Sequence, residues 1–220
     1  MASMAETRAR AVEWERYAPL SGVLAVIGWI IGIIMLDVAD REEEGAALLG
    51  VYQANEGRIL GGTVIWLIAT AFFLWFLGSL RSRLLAAEGG LAHLTGIAFA
   101  GGIATAVCLA ALPGGDAAGA LSNDEIDESA ALALGSVSDA FFIAAEYLLP
   151  VLLVASALAA FRYGALPRWL AWFQVLVAVA LLIPWIGWAA LIFAFPLWVL
   201  IASFVLWRGT GRPAAGAPLG

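Results

Sequence analysis

Apolar runs of membrane-spanning length alternate with short polar segments along nearly all of the 220-residue chain. The first run covers about 20–36 and follows Pro19, a residue suited to the first turn of a helix. It is longer than the apolar core of about 7–15 residues in a secretory signal, and Asp37-Val38-Ala39 lacks an A-x-A pattern, so it reads as a retained helix. Further runs occupy 59–80, closed by Arg81 and Arg83, then 91–112, closed by Pro113-Gly114-Gly115, and 139–161, closed by Arg162.

Trp169 to Trp207 carries no charged residue, a stretch too long for one span of roughly 20 residues. Pro184-Trp185-Ile186-Gly187 is the natural break, giving spans at 168–183 and 187–207. The pattern therefore predicts an all-α, polytopic transmembrane bundle of six spans with both termini cytoplasmic. A juxtamembrane segment (1–18) precedes the 19–208 domain, and a disordered tail (209–220) follows it.

Two longer polar segments, 37–58 and 113–138, form the expected outer loops. In the first, the acidic run Asp40-Arg41-Glu42-Glu43-Glu44 precedes Ala46 to Tyr52, which reads as a short helix on the outer surface or leading into the second span. In the second, Ser122 stands three residues before Glu125, a capping-box spacing that predicts a short helix from about Asn123.

Arginine placement orients the bundle. Nine arginines fall at the N-terminus, the 2–3 and 4–5 connections and the C-terminus, against the four acids Glu6, Glu13, Glu15 and Glu88, a balance of +5. The opposite side holds Arg41 and Arg58 against eleven acids, or −9, and the positive-inside rule puts the arginine-rich side in the cytoplasm. Trp14, Trp169, Trp172, Trp185, Trp188 and Trp207 lie near span ends, as interfacial anchors do.

Composition agrees: 63% of residues are hydrophobic and only 13% charged, about half the charged share of a soluble domain. A net charge of −6 argues against a nucleic-acid partner. The absence of lysine, with abundant Ala, Gly and Arg, suggests a GC-rich bacterial genome and hence the bacterial plasma (inner) membrane. One cysteine, Cys108, excludes an intrachain disulfide, and one histidine, His93, cannot build a zinc or bis-histidine haem site with it. His93 reads as an interfacial polar residue at the cytoplasmic end of the third span.

Asp139 and Glu146 are the only charges assigned to neither side. Seven residues apart, they share a helix face, and Glu146 lies about 10 Å deeper. Pro150 deprives the carbonyl of Glu146 of its helical donor. A mid-membrane carboxyl costs roughly 3 kcal/mol on insertion scales, so it is expected to face the interior with a partner. The preferred reading is structural: hydrogen bonding to a hydroxyl, or pairing with Arg58, the one outer arginine next to a span. The alternative is a proton or cation relay through Glu146 and Asp139.

Other motifs carry less. Asp124, Glu125, Asp127 and Glu128 lack the glycine and ligand spacing of a calcium loop and read as a solvated acidic face. Gly28 and Gly32 allow close helix approach, within the chain or between copies, and Gly61, Gly62, Gly96, Gly101 and Gly102 are expected between the second and third spans. No G-x-S-x-G, Walker loop, H-E-x-x-H or dinucleotide fingerprint occurs.

The stretches Phe73-Leu74-Trp75-Phe76-Leu77-Gly78-Ser79-Leu80-Arg81, Ala87-Glu88-Gly89-Gly90 and Gly164-Ala165-Leu166-Pro167-Arg168-Trp169-Leu170-Ala171-Trp172, with Asp139 and Pro150 between, carry a resemblance. Together they resemble a domain-of-unknown-function family of six-helix actinobacterial membrane proteins. The resemblance implies the architecture and no activity. The expected function is non-enzymatic, through assembly or interaction in the bilayer with a second copy or another membrane protein. The alternative is a small proton- or cation-coupled transporter or channel. No catalytic residue, cofactor or metal is expected.

Overall fold

A computed structural model describes residues 17–36, 45–90 and 92–209. Segment 1–16, the acidic run at 40–44 and the tail from 210, with Arg8, Arg10, Trp14, Arg16, Arg41 and Arg212, lie outside the described residues.

Every described element is helical. A 3₁₀ turn, Ala18–Leu20, leads into α1 (Ser21–Leu36). Then follow α2 (Gly45–Glu88), α3 (His93–Ala111), the short α4 (Gly114–Leu121) and α5 (Glu128–Tyr163). The chain closes with α6 (Arg168–Leu181), α7 (Pro184–Ala189), a π-helical turn (Ala190–Ala194) and α8 (Phe195–Gly209). Five helical stretches are long and apolar enough to cross a membrane. The protein is a multi-pass membrane protein built as a helical bundle. The fifth expected span is α6, whose 14 residues make only about 21 Å of helix.

The expected outer loops are mostly helix. Residues 45–58 continue into the second span, broken only at Asn55, whose backbone leaves the helical region (φ −126°, ψ 20°). Residues 128–138, rich in Ala and Leu, extend α5 by three turns. Each addition has a run of Ala and Leu (46–49 and 130–134) that favours helix and joins a helix already nucleated, so propagation outruns the membrane boundary. The capping box at Ser122 does not form: Ser122 ends α4, and the cap of α5 is Asp127, whose carboxylate accepts from the backbone N–H of Ala130 at 2.8 Å.

These extensions build a small second core of Leu48, Tyr52, Ile59, Ala120 and Ala131 at the acidic end of the bundle. Glycine makes the approach possible. A Cβ at Gly119 would collide with the Tyr52 ring, and one at Gly115 with the Leu134 carbonyl oxygen.

The main core lies among the spans, around Trp29, Phe73, Phe76, Phe195 and Trp198. Rings of Trp29, Phe73 and Phe195 meet at 5.3–5.6 Å between centroids. Gly28 packs on Ala69 and Gly32 on Trp66, so this G-x-x-x-G seats α1 on α2 within the chain. Gly61 and Gly62 face Met35 of α1 rather than the third span. Gly102 does meet Leu77 of α2, whereas Gly101 takes the backbone of Leu152 in α5. Between α5 and α6, Gln174 donates through Nε2 to Ser156 Oγ at 2.7 Å, both fully buried.

At the arginine-rich end, α2 reaches Glu88, and the chain turns through Gly89 and Gly90, both at positive φ. The buried Glu88 carboxylate accepts from the N–H groups of Leu94 and Thr95 at 2.9 Å each and from the Thr95 hydroxyl at 2.6 Å. It satisfies two of the orphan donors in the first turn of α3, whose N-cap residue makes no side-chain bond.

Candidate binding site at the acidic end

An aromatic-walled cavity of about 210 Å³ lies between α1, α2, the end of α3, α4, α5 and the π turn. Its walls include Trp29, Trp66, Phe142 and Phe195. Both indole N–H groups are engaged inside the protein: Trp29 Nε1 donates to Thr70 Oγ1 at 3.2 Å, and Trp66 Nε1 to the carbonyl of Leu109. The cavity therefore sees ring surfaces rather than donors.

Among the described residues Asp116 is the one charged side chain in the lining. It stands in the first turn of α4, and its Oδ1 accepts from the hydroxyl of the buried Tyr52 at 2.9 Å. Its backbone N–H donates to Ser138 Oγ at 3.2 Å. Among the described residues no protein donor is recorded on Oδ2, which keeps its capacity to accept. The site thus pairs an apolar, aromatic body with one anionic acceptor.

The π turn shapes the opposite wall, where Leu191, Ile192, Phe195 and Pro196 line the cavity. Pro196 has no N–H for the carbonyl of Ile192, four residues earlier, and its ring would clash there. The backbone widens instead, with Phe195 N–H reaching back to the carbonyl of Ala190. Such π turns occur often at functional sites.

Glu146 is separate from this acceptor. It is 6% exposed, and its carboxyl lies against Gly187 of α7, so close that a Cβ there would overlap Oε1. Phe142 and Leu191, each four residues from that contact on the same helix faces, line the cavity. Counting inward, Glu146 stands about 24 Å from Arg162, within a hydrocarbon layer of about 30 Å, whereas Asp139 stands about 34 Å away, beyond it. Asp139 is accordingly exposed. The two acids share a helix face but not an environment, because the α6–α7 turn stops at the level of Glu146.

Nor does Arg58 pair with Glu146. Its Nη2 donates to the carbonyl of Ile34 at 2.6 Å, satisfying an orphan acceptor at the end of α1. Among the described residues no ion pair or hydrogen bond is recorded for the Glu146 carboxyl. Cys108 is buried and unpaired, and His93 is exposed at the start of α3. No cluster of three metal-ligating side chains occurs among the described residues.

Known families, curated proteins and solved structures offer no match to this chain. The site therefore rests on its own geometry.

Tyr52, Asp116 and the π turn escaped the sequence reading. Two signals were available: Pro196 inside an apolar span, and Gly115 and Gly119 four apart around Asp116, a small face on a short helix.

Proposed function

We propose that the protein is a non-enzymatic membrane protein that acts by interaction, and that its ligand is a lipophilic molecule with a cationic or hydrogen-bond-donating head. The apolar part enters the aromatic cavity, and the head meets Asp116. The carrying observation is the cavity itself, partly open, walled by aromatic rings and bearing, among the described residues, one carboxylate with an open acceptor position. At about 210 Å³ it is smaller than a drug-sized pocket of about 300–1,000 Å³, and suits one chain or one ring system. On the arginine distribution, the acidic end faces outward from a bacterial plasma membrane, so the ligand arrives from the outer leaflet.

Native mass spectrometry of the purified protein with dodecylamine, dodecanol, dodecane and dodecanoate tests this. The amine and alcohol are expected to bind and the anionic acid to be excluded. Asp116→Asn should remove the preference for the amine over the alcohol. Equal binding of all four, or none, refutes the reading.

A second reading, a proton- or cation-coupled pathway through Glu146 and Asp139, is favoured by one observation: Glu146 is buried within the span without a recorded protein partner. Flux into liposomes should then fall at least tenfold in Glu146→Gln. Unchanged flux removes Glu146 from any pathway.

A further inference from the structure

At the opposite end of the bundle a groove of about 1,100 Å³ runs between α2, α3 and the end of α8. We infer that it is a binding site for one anionic phospholipid, its phosphate held by Arg81 and Arg83 and its acyl chains laid along the glycine-lined wall above them. This site is independent of the cavity at the acidic end.

The arginines supply the charge complementarity. Both line the groove and are exposed. Arg81 is steadied over the Phe99 ring, with Cζ 5.5 Å from its centroid. Arg83 donates through Nε to the carbonyl of Ala165 at 3.0 Å, which fixes the guanidinium and leaves its terminal nitrogens for a ligand. Among the described residues neither has a recorded carboxylate partner. The nearest acid along α2, Glu88, is buried and committed to the first turn of α3. Arginine offers phosphate a planar fork of donors, and basic pockets between spans on the positive side are suited to phospholipid headgroups.

The apolar wall is built for a chain. Trp75, Gly78, Ser79 and Ser82 follow helical spacing on one face of α2, and Gly96 and Phe99 face the groove from α3. Gly78 and Gly96 have nothing within 4 Å of where a Cβ would stand, so the space they leave is groove and not protein packing. The serine hydroxyls point back to their own helix, Ser82 Oγ to the carbonyl of Gly78 at 3.0 Å and Ser79 Oγ to that of Trp75 at 3.4 Å. The wall beyond the arginines is therefore apolar, and Trp75 stands 67% exposed at its edge.

The test uses delipidated full-length protein titrated with phosphatidylglycerol or phosphatidylcholine of the same chains in nanodiscs. Retained lipid per protein and the thermal midpoint are read together. Phosphatidylglycerol is expected to be retained about tenfold more tightly and to raise the midpoint, and soluble glycerol phosphate to do neither. Arg81→Gln with Arg83→Gln should erase the preference. Gly78→Leu keeps both arginines, improves helix propensity and fills the groove. It should weaken phosphatidylglycerol retention at least tenfold while the midpoint in phosphatidylcholine stays at or above that of wild type. Equal retention of both lipids overturns the inference. So does a Gly78→Leu protein that retains phosphatidylglycerol as wild type does, whether or not its oligomeric mass changes, since the groove would then be empty or hold a second copy.

Discussion

Replacing Gly187 with alanine tests the contact that places Glu146. The added methyl carbon would stand 2.7 Å from Glu146 Cδ and 2.8 Å from the carbonyl oxygen of Leu181. Both are well inside van der Waals contact, and overpacking of this kind costs about 1–3 kcal/mol. Alanine recovers about 1 kcal/mol of helix propensity over glycine, leaving a net loss of about 0–2 kcal/mol. Glu146→Ala removes the first obstacle and leaves the second, so the pair should couple by about 1 kcal/mol, the double variant being more stable than the sum of the singles. Reversible unfolding in mixed micelles, followed for wild type, both single variants and the double, gives the coupling directly. Additivity within about 0.3 kcal/mol refutes the placement of Glu146 against the α6–α7 turn, since uncoupled sites add to that accuracy.

Three further outcomes follow from other contacts. Glu88→Ala removes the acceptor for two backbone N–H groups and one hydroxyl at the start of α3; the thermal midpoint should fall, and an unchanged midpoint contradicts the capping role. The Asp127 carboxyl is held below the usual aspartate range, first by the Ala130 N–H and then by the Ser129 hydroxyl. Its contribution is therefore complete above the ordinary value of about 3.9 and is lost as pH falls through the lower folded value. Asp127→Asn keeps a good cap without titrating, so it should flatten the midpoint's decline between neutral pH and pH 3; an identical decline excludes Asp127 as a cause. Gln174→Leu breaks the buried bond to Ser156. Such bonds between spans average about 0.6 kcal/mol, so a loss above about 2 kcal/mol would show that this one is exceptional.

How much of this was legible in the sequence depends on which forces set each feature. Hydrophobic length and arginine placement report the bilayer, so the apolar helices and the break at Pro184 followed directly. The helix at 46–52 leading into the second span was also read from the sequence, but the extension of α5 over 128–138 was not, because propensity and tertiary support carry a helix beyond the membrane edge with no change in hydropathy to mark it. Ser122 and Asp127 are both sound cap residues, and the choice of Asp127 depends on α4, whose packing on α5 through Gly115 has no local signature. Glu146 was marked as unusual by its charge alone. The expectation of Arg58 as its partner failed because Arg58 serves the end of α1 through Ile34. Seven-residue spacing placed Asp139 and Glu146 on one face correctly, yet burial divides them, since the short α6 brings its turn only to the level of Glu146. The cavity was illegible because its walls come from six separate stretches of chain.

The proposed lipophilic ligand of the aromatic cavity, its donor head against Asp116, should accompany the protein through purification. The most direct measurement is mass-spectrometric analysis of organic extracts from purified wild-type protein and from Leu191→Trp, which fills the cavity from the π turn. Wild type is predicted to yield a near-stoichiometric amine- or hydroxyl-bearing lipophile that is absent from Leu191→Trp, with the thermal midpoints of the ligand-free proteins equal. Indistinguishable extracts from the two folded proteins contradict the account.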